Sequence, residues 1–281
     1  MRKLRLHSTN LMQLNIEKRE LSLCKMVLNM ERWFGKIAVV TGASAGCGAA
    51  IAEALVTNGM QVVAVARRKE RLIALADKLA GGRGKLHPVQ CDVTKESEII
   101  ELFEWVENNF NQVHVLVNNA GIARASGLIN GNPADWSDVI KTNVLGLSIA
   151  TQLAVKRMID HKVDGHVIHI NSILGHYVAQ VPNLNMYPAS KFAVTALTET
   201  LRQELNSINS KIRVTSISPG PVDSEFQMAT QPMPNADWDA FFAGVPKLKC
   251  EDVADAVVYA LSTPPHVLVH EIMLRPVGEP V

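Results

Sequence analysis

The stretch Ile37-Ala38-Val39-Val40-Thr41-Gly42-Ala43-Ser44-Ala45-Gly46-Cys47-Gly48 decides the fold. Its first four residues are apolar without polar alternation, which is the pattern of a strand buried on both faces. The glycines that follow allow a tight turn, and residues 49–58 read as a helix. A strand, a glycine-rich turn and a helix in that order bring backbone N–H groups to a helix N-terminus, where they can meet a pyrophosphate. The spacing Gly42-x-x-x-Gly46-x-Gly48 is not the common G-x-G-x-x-G of dinucleotide sites.

The same alternation continues outward. Strands are predicted at 61–66, 86–91, 113–117, 165–170, 212–217 and 270–274, and helices at 69–79, 97–109, 136–159, 187–205 and 250–261. Continuous apolar strands between helices mean a parallel sheet covered on both sides. The fold class is therefore α/β, a single doubly wound parallel sheet with helices on both faces. Residues 30–281 form one dinucleotide-binding catalytic domain, and residues 1–29 a disordered N-terminal extension. Arg2, Lys3, Arg5, Lys18, Arg19 and Lys25 make that extension basic, but Glu17 and Glu20 and the short apolar run 21–28, broken by Lys25, suit neither a signal segment nor a membrane span.

Composition narrows the function classes. The chain has 281 residues, 47% hydrophobic content and a formal charge of +1. That balance excludes wholesale disorder and argues against a nucleic-acid binder held by a phosphate footprint. Four scattered cysteines (Cys24, Cys47, Cys91, Cys250) form no C-x-x-C and read as reduced thiols, so the protein is expected in the cytoplasm. The nine histidines form no metal constellation, and no metal is expected. His176 is expected either to line the pocket or to be a polar loop residue.

Tyr187-Pro188-Ala189-Ser190-Lys191 carries the chemistry. The i, i+4 spacing puts a phenol and an ammonium on one helical face, and a neighbouring cation favours the phenolate, so Tyr187 can trade a proton nearer neutral pH. Ser172 follows an apolar run upstream. The one long irregular segment, 219–249, holds Phe226, Met228, Met233, Trp238, Phe241 and Phe242, too many large apolar groups for a solvated loop. A substrate loop is expected at about 223–249.

The glycine spacing together with Asn118-Asn119-Ala120-Gly121, Asn143, Ser172, Tyr187 and Lys191 resembles the short-chain dehydrogenase/reductase family over 31–276. The resemblance implies a single Rossmann-type domain with the sheet order 3-2-1-4-5-6-7. It implies that Tyr187 is the general acid/base, that Lys191 lowers its pKa and holds the nicotinamide ribose, that Ser172 orients the substrate oxygen and that Asn143 anchors a proton-relay water. It further implies cofactor contacts at Gly42, Ser44, Gly46, Cys47 and Gly48, at Asp92 and Val93, at Asn119, Ala120 and Gly121, and at Pro219, Gly220, Val222 and Ser224. Cys47 stands where isoleucine is common, and Ser224 where threonine is typical. Asp92 has a structural alternative, capping into Thr94. Within the family, Met30-Glu31-Arg32-Trp33, the stretch 193–204 and Leu261-Ser262-Thr263-Pro264-Pro265 are similar to insect NADP-dependent farnesol dehydrogenases and vertebrate carbonyl and ketosteroid reductases.

Cofactor choice is read at the end of the second strand. An NAD site places an acid there, about 20 residues past the glycine turn. Here Ala66 is followed by Arg67 and Arg68, which suit a 2′-phosphate. The expectation is an NADP-dependent oxidoreductase moving hydride between nicotinamide and a lipophilic alcohol or carbonyl, farnesol-like first. The alternatives are a steroid or general carbonyl reductase, and a dinucleotide sensor without turnover, which would lack the catalytic pair. A homodimer or homotetramer is expected, from the apolar residues of helices 136–159 and 187–205.

Overall fold

The computed structural model describes residues 28–180, 184, 186–226 and 244–279. Seven strands form one parallel sheet in the order β3-β2-β1-β4-β5-β6-β7. They are β1 (Ile37–Thr41), β2 (Gln61–Ala66), β3 (Lys85–Gln90), β4 (Val115–Asn118), β5 (His166–Ile170), β6 (Arg213–Pro219) and β7 (Glu271–Leu274). The helices that connect and cover them are α1 (Gly46–Thr57), α2 (Lys69–Lys78), α3 (Glu96–Phe110), α4 (Pro133–Ile140), α5 (Leu147–Asp160), α6 (Met186–Ser207) and α7 (Cys250–Ser262).

The two-residue period of each strand divides its side chains between two cores. Ala38, Val40, Val62 and Ala64 face Ile51, Leu55, Val253 and Val257 of α1 and α7. Ile37, Val39, Val63 and Val65 face Ile99, Phe103 and Met158 of α3 and α5. A strand with two covered faces has no room for a polar position, hence the unbroken valine runs. Full burial of such side chains contributes about 1.5–3 kcal/mol each.

Two helix starts differ from the sequence expectation by three residues, both beside the site. Helix α1 starts at Gly46, inside the glycine turn, so its free N–H groups sit at the turn itself. The expected helix 136–159 begins at Pro133, where Asn132 caps it by accepting from the Ala134 N–H at 3.0 Å. It is also interrupted by a π-helical turn, Lys141–Gly146.

Strand order reverses between β1 and β4, whose carboxyl ends open the crevice where doubly wound sheets bind ligands. The expected extension falls outside the described residues except Leu28 and Asn29. Asn29 donates its backbone N–H to the Ser262 carbonyl at 3.2 Å. No described helix is long and apolar enough to cross a membrane.

Candidate active site

A cleft of about 1080 Å³ opens at the carboxyl edge of the sheet. One of its walls is the glycine turn after β1. Gly42 adopts φ +68°, the left-handed region that glycine tolerates. A Cβ on Gly48 would stand 2.4 Å from both Asn119 Nδ2 and the Gly42 carbonyl oxygen, so only glycine fits there. The turn is clamped from β4: Asn119 Nδ2 donates to the Thr41 carbonyl at 2.9 Å, and the Asn119 and Ala120 N–H groups donate to Thr41 Oγ1 at 3.0 and 3.1 Å. Asn118 points away from the cleft and donates to Thr151 Oγ1 at 2.8 Å. This close, clamped glycine cradle above a helix N-terminus fits a dinucleotide pyrophosphate.

Arg67 and Arg68 follow Ala66 at the end of β2 and line the cleft. Arg68 donates from Nε and NH2 to Ser44 Oγ, at 3.2 and 3.0 Å, which ties the second strand's end to the glycine turn. Two residues here escaped the sequence reading. Arg68 NH1 and Arg71 NH1 both donate to the Glu225 carboxylate, the closest contacts at 3.2 and 2.7 Å. Arg71 lies one helical turn after Arg68, a signal that was available. Glu225 is distant in sequence and had none. Asp92 lines the cleft but accepts from the Thr94 N–H and hydroxyl at 3.0 and 2.8 Å, the capping role held as its alternative.

The opposite wall brings together Tyr187, Lys191, Ser172 and Gly121. Lys191 is buried, its Nζ donating to the Ile170 carbonyl at 2.8 Å and lying 5.6 Å from the Tyr187 ring centroid. Burial lowers this ammonium to about 8. Burial likewise pushes the Tyr187 phenol up to about 12, and the hydrogen bond with Ser172 draws it back. Ser172 thus opposes the effect of burial on the phenol.

Asn143 lies in the π turn. Its Nδ2 donates to the Ile122 carbonyl and its Oδ1 accepts from the Ile122 N–H, each at 2.9 Å, while Nδ2 also reaches Ser190 Oγ at 3.0 Å. It therefore braces the segment after Gly121 against α6. His176 does not line the cleft; its Nε2 pairs with Ser218 Oγ at 2.9 Å. Among the described residues, no group of three His, Cys, Asp or Glu could hold a metal.

Pro219, Gly220 and Val222 continue from β6 along the cleft, and Val222 bridges to Leu248. Ser224 follows, its hydroxyl accepting from the Phe226 N–H at 3.4 Å. The Phe226 ring stands 5.5 Å from that of Tyr187. With Leu174, Val178 and Leu184 it gives this end of the cleft an apolar lining. Met228, Met233, Trp238, Phe241 and Phe242 lie outside the described residues.

Comparison with known proteins agrees with this geometry. The short chain dehydrogenase family profile matches residues 36–235. The chain is 49% identical over 252 residues to a farnesol dehydrogenase of Aedes aegypti, covering 89% of this chain and 99% of that one. It is 45% identical over 250 residues to dehydrogenase/reductase SDR family member 11 of Bos taurus, covering 88% and 98%. An alcohol dehydrogenase from Thermococcus sibiricus, solved with 5-hydroxy-NADP, superposes with a TM-score of 0.75 at 28% identity, covering 88% and 98%. The chain belongs to the short-chain dehydrogenase family and is an oxidoreductase of that family.

Proposed function

We propose that this chain is an NADP-dependent alcohol dehydrogenase/carbonyl reductase acting on a lipophilic substrate, with isoprenoid alcohols such as farnesol first. One observation carries the reading: a single cleft is lined both by the glycine cradle and by apolar Leu174, Val178, Leu184 and Phe226, with Tyr187 in the wall between them. NADP would supply or accept the hydride. Gly42, Gly46, Cys47 and Gly48 would hold its pyrophosphate, Ser44, Arg67 and Arg68 its 2′-phosphate, and Lys191 its nicotinamide ribose. Asp92 and Val93, Asn119 to Gly121, and Pro219 to Ser224 would complete the contact.

Tyr187 Oη moves the proton to or from the substrate oxygen, and Ser172 orients that oxygen by hydrogen bonding. A phenol pushed up to about 12 stays protonated at neutral pH, which suits donation to a carbonyl oxygen. The name of the Aedes aegypti relative supports the farnesol choice. Purified protein assayed with NADP and NAD against farnesol, geraniol, retinol and a keto-steroid tests the reading. The highest kcat/KM is expected with NADP and farnesol; equal use of NAD, or the best rate on the keto-steroid, would replace it.

The active unit is proposed to be a homodimer or homotetramer. Of the apolar residues on these helices, Val139, Leu147 and Val194 are buried within the protomer, whereas Leu145 and Phe192 stay 51% and 41% exposed. These two supply an apolar face shared by the π turn and α6. Light scattering at micromolar concentration should return at least a dimer, and a monomer would contradict the proposal.

A further inference from the structure

Among the described cysteines, neither Cys47 nor Cys250 is needed as a thiol by the fold or the proposed chemistry. Cys47 is in the first turn of α1, under the glycine cradle, and lines the cleft. Cys250 is the first residue of α7, and α7 packs along α1 through Val253 and Val257 against Ile51 and Leu55. The two thiols perturb one another's titration, Cys47 raised and Cys250 lowered by their mutual interaction. A Cβ built on Gly46 would stand 4.0 Å from Cys250 Sγ and 3.4 Å from Ser224 Cβ, so the Cys250 sulfur lies directly beneath the turn. Both side chains are only partly buried, unlike Cys91. We propose that Cys47 and Cys250 form an oxidisable dithiol, and that its closure to a disulfide by a hydroperoxide weakens dinucleotide binding.

The electronic arrangement favours the reaction. The interaction between the two thiols lowers Cys250 from its ordinary value and raises Cys47. Cys250 also sits at a helix N-terminus, where a thiolate is stabilised. Cys250 Sγ can otherwise donate to the Asp223 carbonyl, 3.5 Å away, so the thiol has an alternative partner and is not locked. The Cys250 thiolate attacks one peroxide oxygen, the O–O bond breaks and the departing hydroxide takes a proton to become water. The sulfenic acid so formed is attacked by the Cys47 sulfur, which gives up its proton. The S–O bond breaks, the S–S bond forms and a second water leaves. Two thiols lose two electrons, and one hydrogen peroxide becomes two waters.

The consequence for binding follows from the clamp. A disulfide holds its sulfurs about 2 Å apart, well inside any non-bonded contact. Closing it must draw the turn and the start of α7 together. The turn cannot follow freely, because Asn119 Nδ2 holds the Thr41 and Gly42 carbonyls at 2.9 and 3.3 Å. The backbone N–H groups of the cradle are then misaligned, or Ser224 on the far side is displaced.

This consequence rests on the dinucleotide reading above, whereas the bond itself does not. The full chain is treated with hydrogen peroxide, alkylated, digested and mapped, while NADPH affinity is read by fluorescence before oxidation, after it, and after dithiothreitol. Linked peptides carrying Cys47 and Cys250 are expected. NADPH affinity should fall about tenfold, as expected for a binding group displaced by the order of 1 Å, and recover on reduction. Cys250→Ser should bind NADPH like the reduced wild type and lose nothing on oxidation. Alkylated or over-oxidised Cys47 and Cys250 without a cross-link, or a cross-link from either of them to Cys24 or Cys91, would overturn the dithiol. A Cys47–Cys250 cross-link with unchanged affinity would overturn its effect on binding. If the reduced wild type binds no NADPH, the cofactor reading fails, while peptide mapping still decides the bond.

Discussion

Lys191 spends one of its donors on the Ile170 carbonyl, at 2.8 Å, at the end of β5. That bond anchors the ammonium at the floor of the cleft, below the Tyr187 ring, and leaves its remaining donors for a ribose. In the proposed mechanism Tyr187 has a different job, its hydroxyl serving the reacting oxygen beside Ser172. Tyr187→Phe keeps the packing with Phe226 and removes the proposed proton route. Its kcat should fall by about 10²–10⁴ while NADPH affinity stays close to wild type. A variant that kept more than about a tenth of the rate would remove Tyr187 from the proton transfer. Lys191→Ala should damage affinity and kcat together. At the other end of the cleft, Arg68 and Arg71 hold Glu225 through contacts that are 44% exposed on each side. Exposed pairs of this kind contribute about 0–1 kcal/mol, so a phosphate dianion can displace the carboxylate. Arg68→Ala should therefore cost about tenfold in kcat/KM for NADP, the low end of a charge-assisted bond, and little for NAD. Glu225→Gln should shift selectivity the other way. Equal losses with both cofactors would show that Arg68 acts only through its bonds to Ser44.

At the scale of elements, the segment after β6 reads as the substrate loop because of Phe226. Its ring lies against Tyr187, 5.5 Å between centroids, in the apolar part of the cleft. An apolar chain laid beside it gains about 1.5–3 kcal/mol, and a short alcohol does not reach. Phe226→Ala should accordingly raise KM for a fifteen-carbon alcohol by about tenfold or more and leave a short alcohol nearly unchanged. Similar losses on both would mean that the ring only supports Tyr187. The strands themselves were legible in the sequence within a residue or two, because a doubly covered strand must be an unbroken apolar run. Gly42, Gly48, Ser172, Tyr187 and Lys191 were legible by spacing. The π turn Lys141–Gly146 was not, because one extra residue in a helix leaves no mark in an apolar period. Nor was the Arg71–Glu225 pair, 154 positions apart, or the Cys47–Cys250 contact, since both arise only when α1, α2 and α7 assemble on one side of the sheet.

Across the whole molecule, three histidines lie buried against the sheet, and none of them serves the cleft. His114 Nδ1 accepts from the Ile37 N–H at 3.2 Å. His166 Nε2 pairs with Thr215 Oγ1 at 2.7 Å, and His169 Nδ1 with Thr198 Oγ1 at 2.9 Å. Burial lowers His114 to about 4 and His169 to about 3, and holds His166 well below the ordinary imidazole value. The folded chain keeps all three neutral where the unfolded chain, with pKa about 6.5, takes up protons. Stability linked to these groups is therefore complete above about pH 6.5 and is lost as pH falls toward the folded values. At pH 5 each site costs on the order of 2 kcal/mol, and together they consume a large part of a domain's roughly 5–15 kcal/mol. The melting temperature should fall by many degrees from pH 7 to pH 5, before most carboxylates titrate. His169→Gln, which can still bond Thr198 without binding a proton, should be less stable at pH 7 but lose less on acidification. A wild-type melting temperature that stayed level from pH 7 to pH 5, or an equal loss in the Gln variant, would mean that these imidazoles become charged inside the fold, with water reaching the sheet.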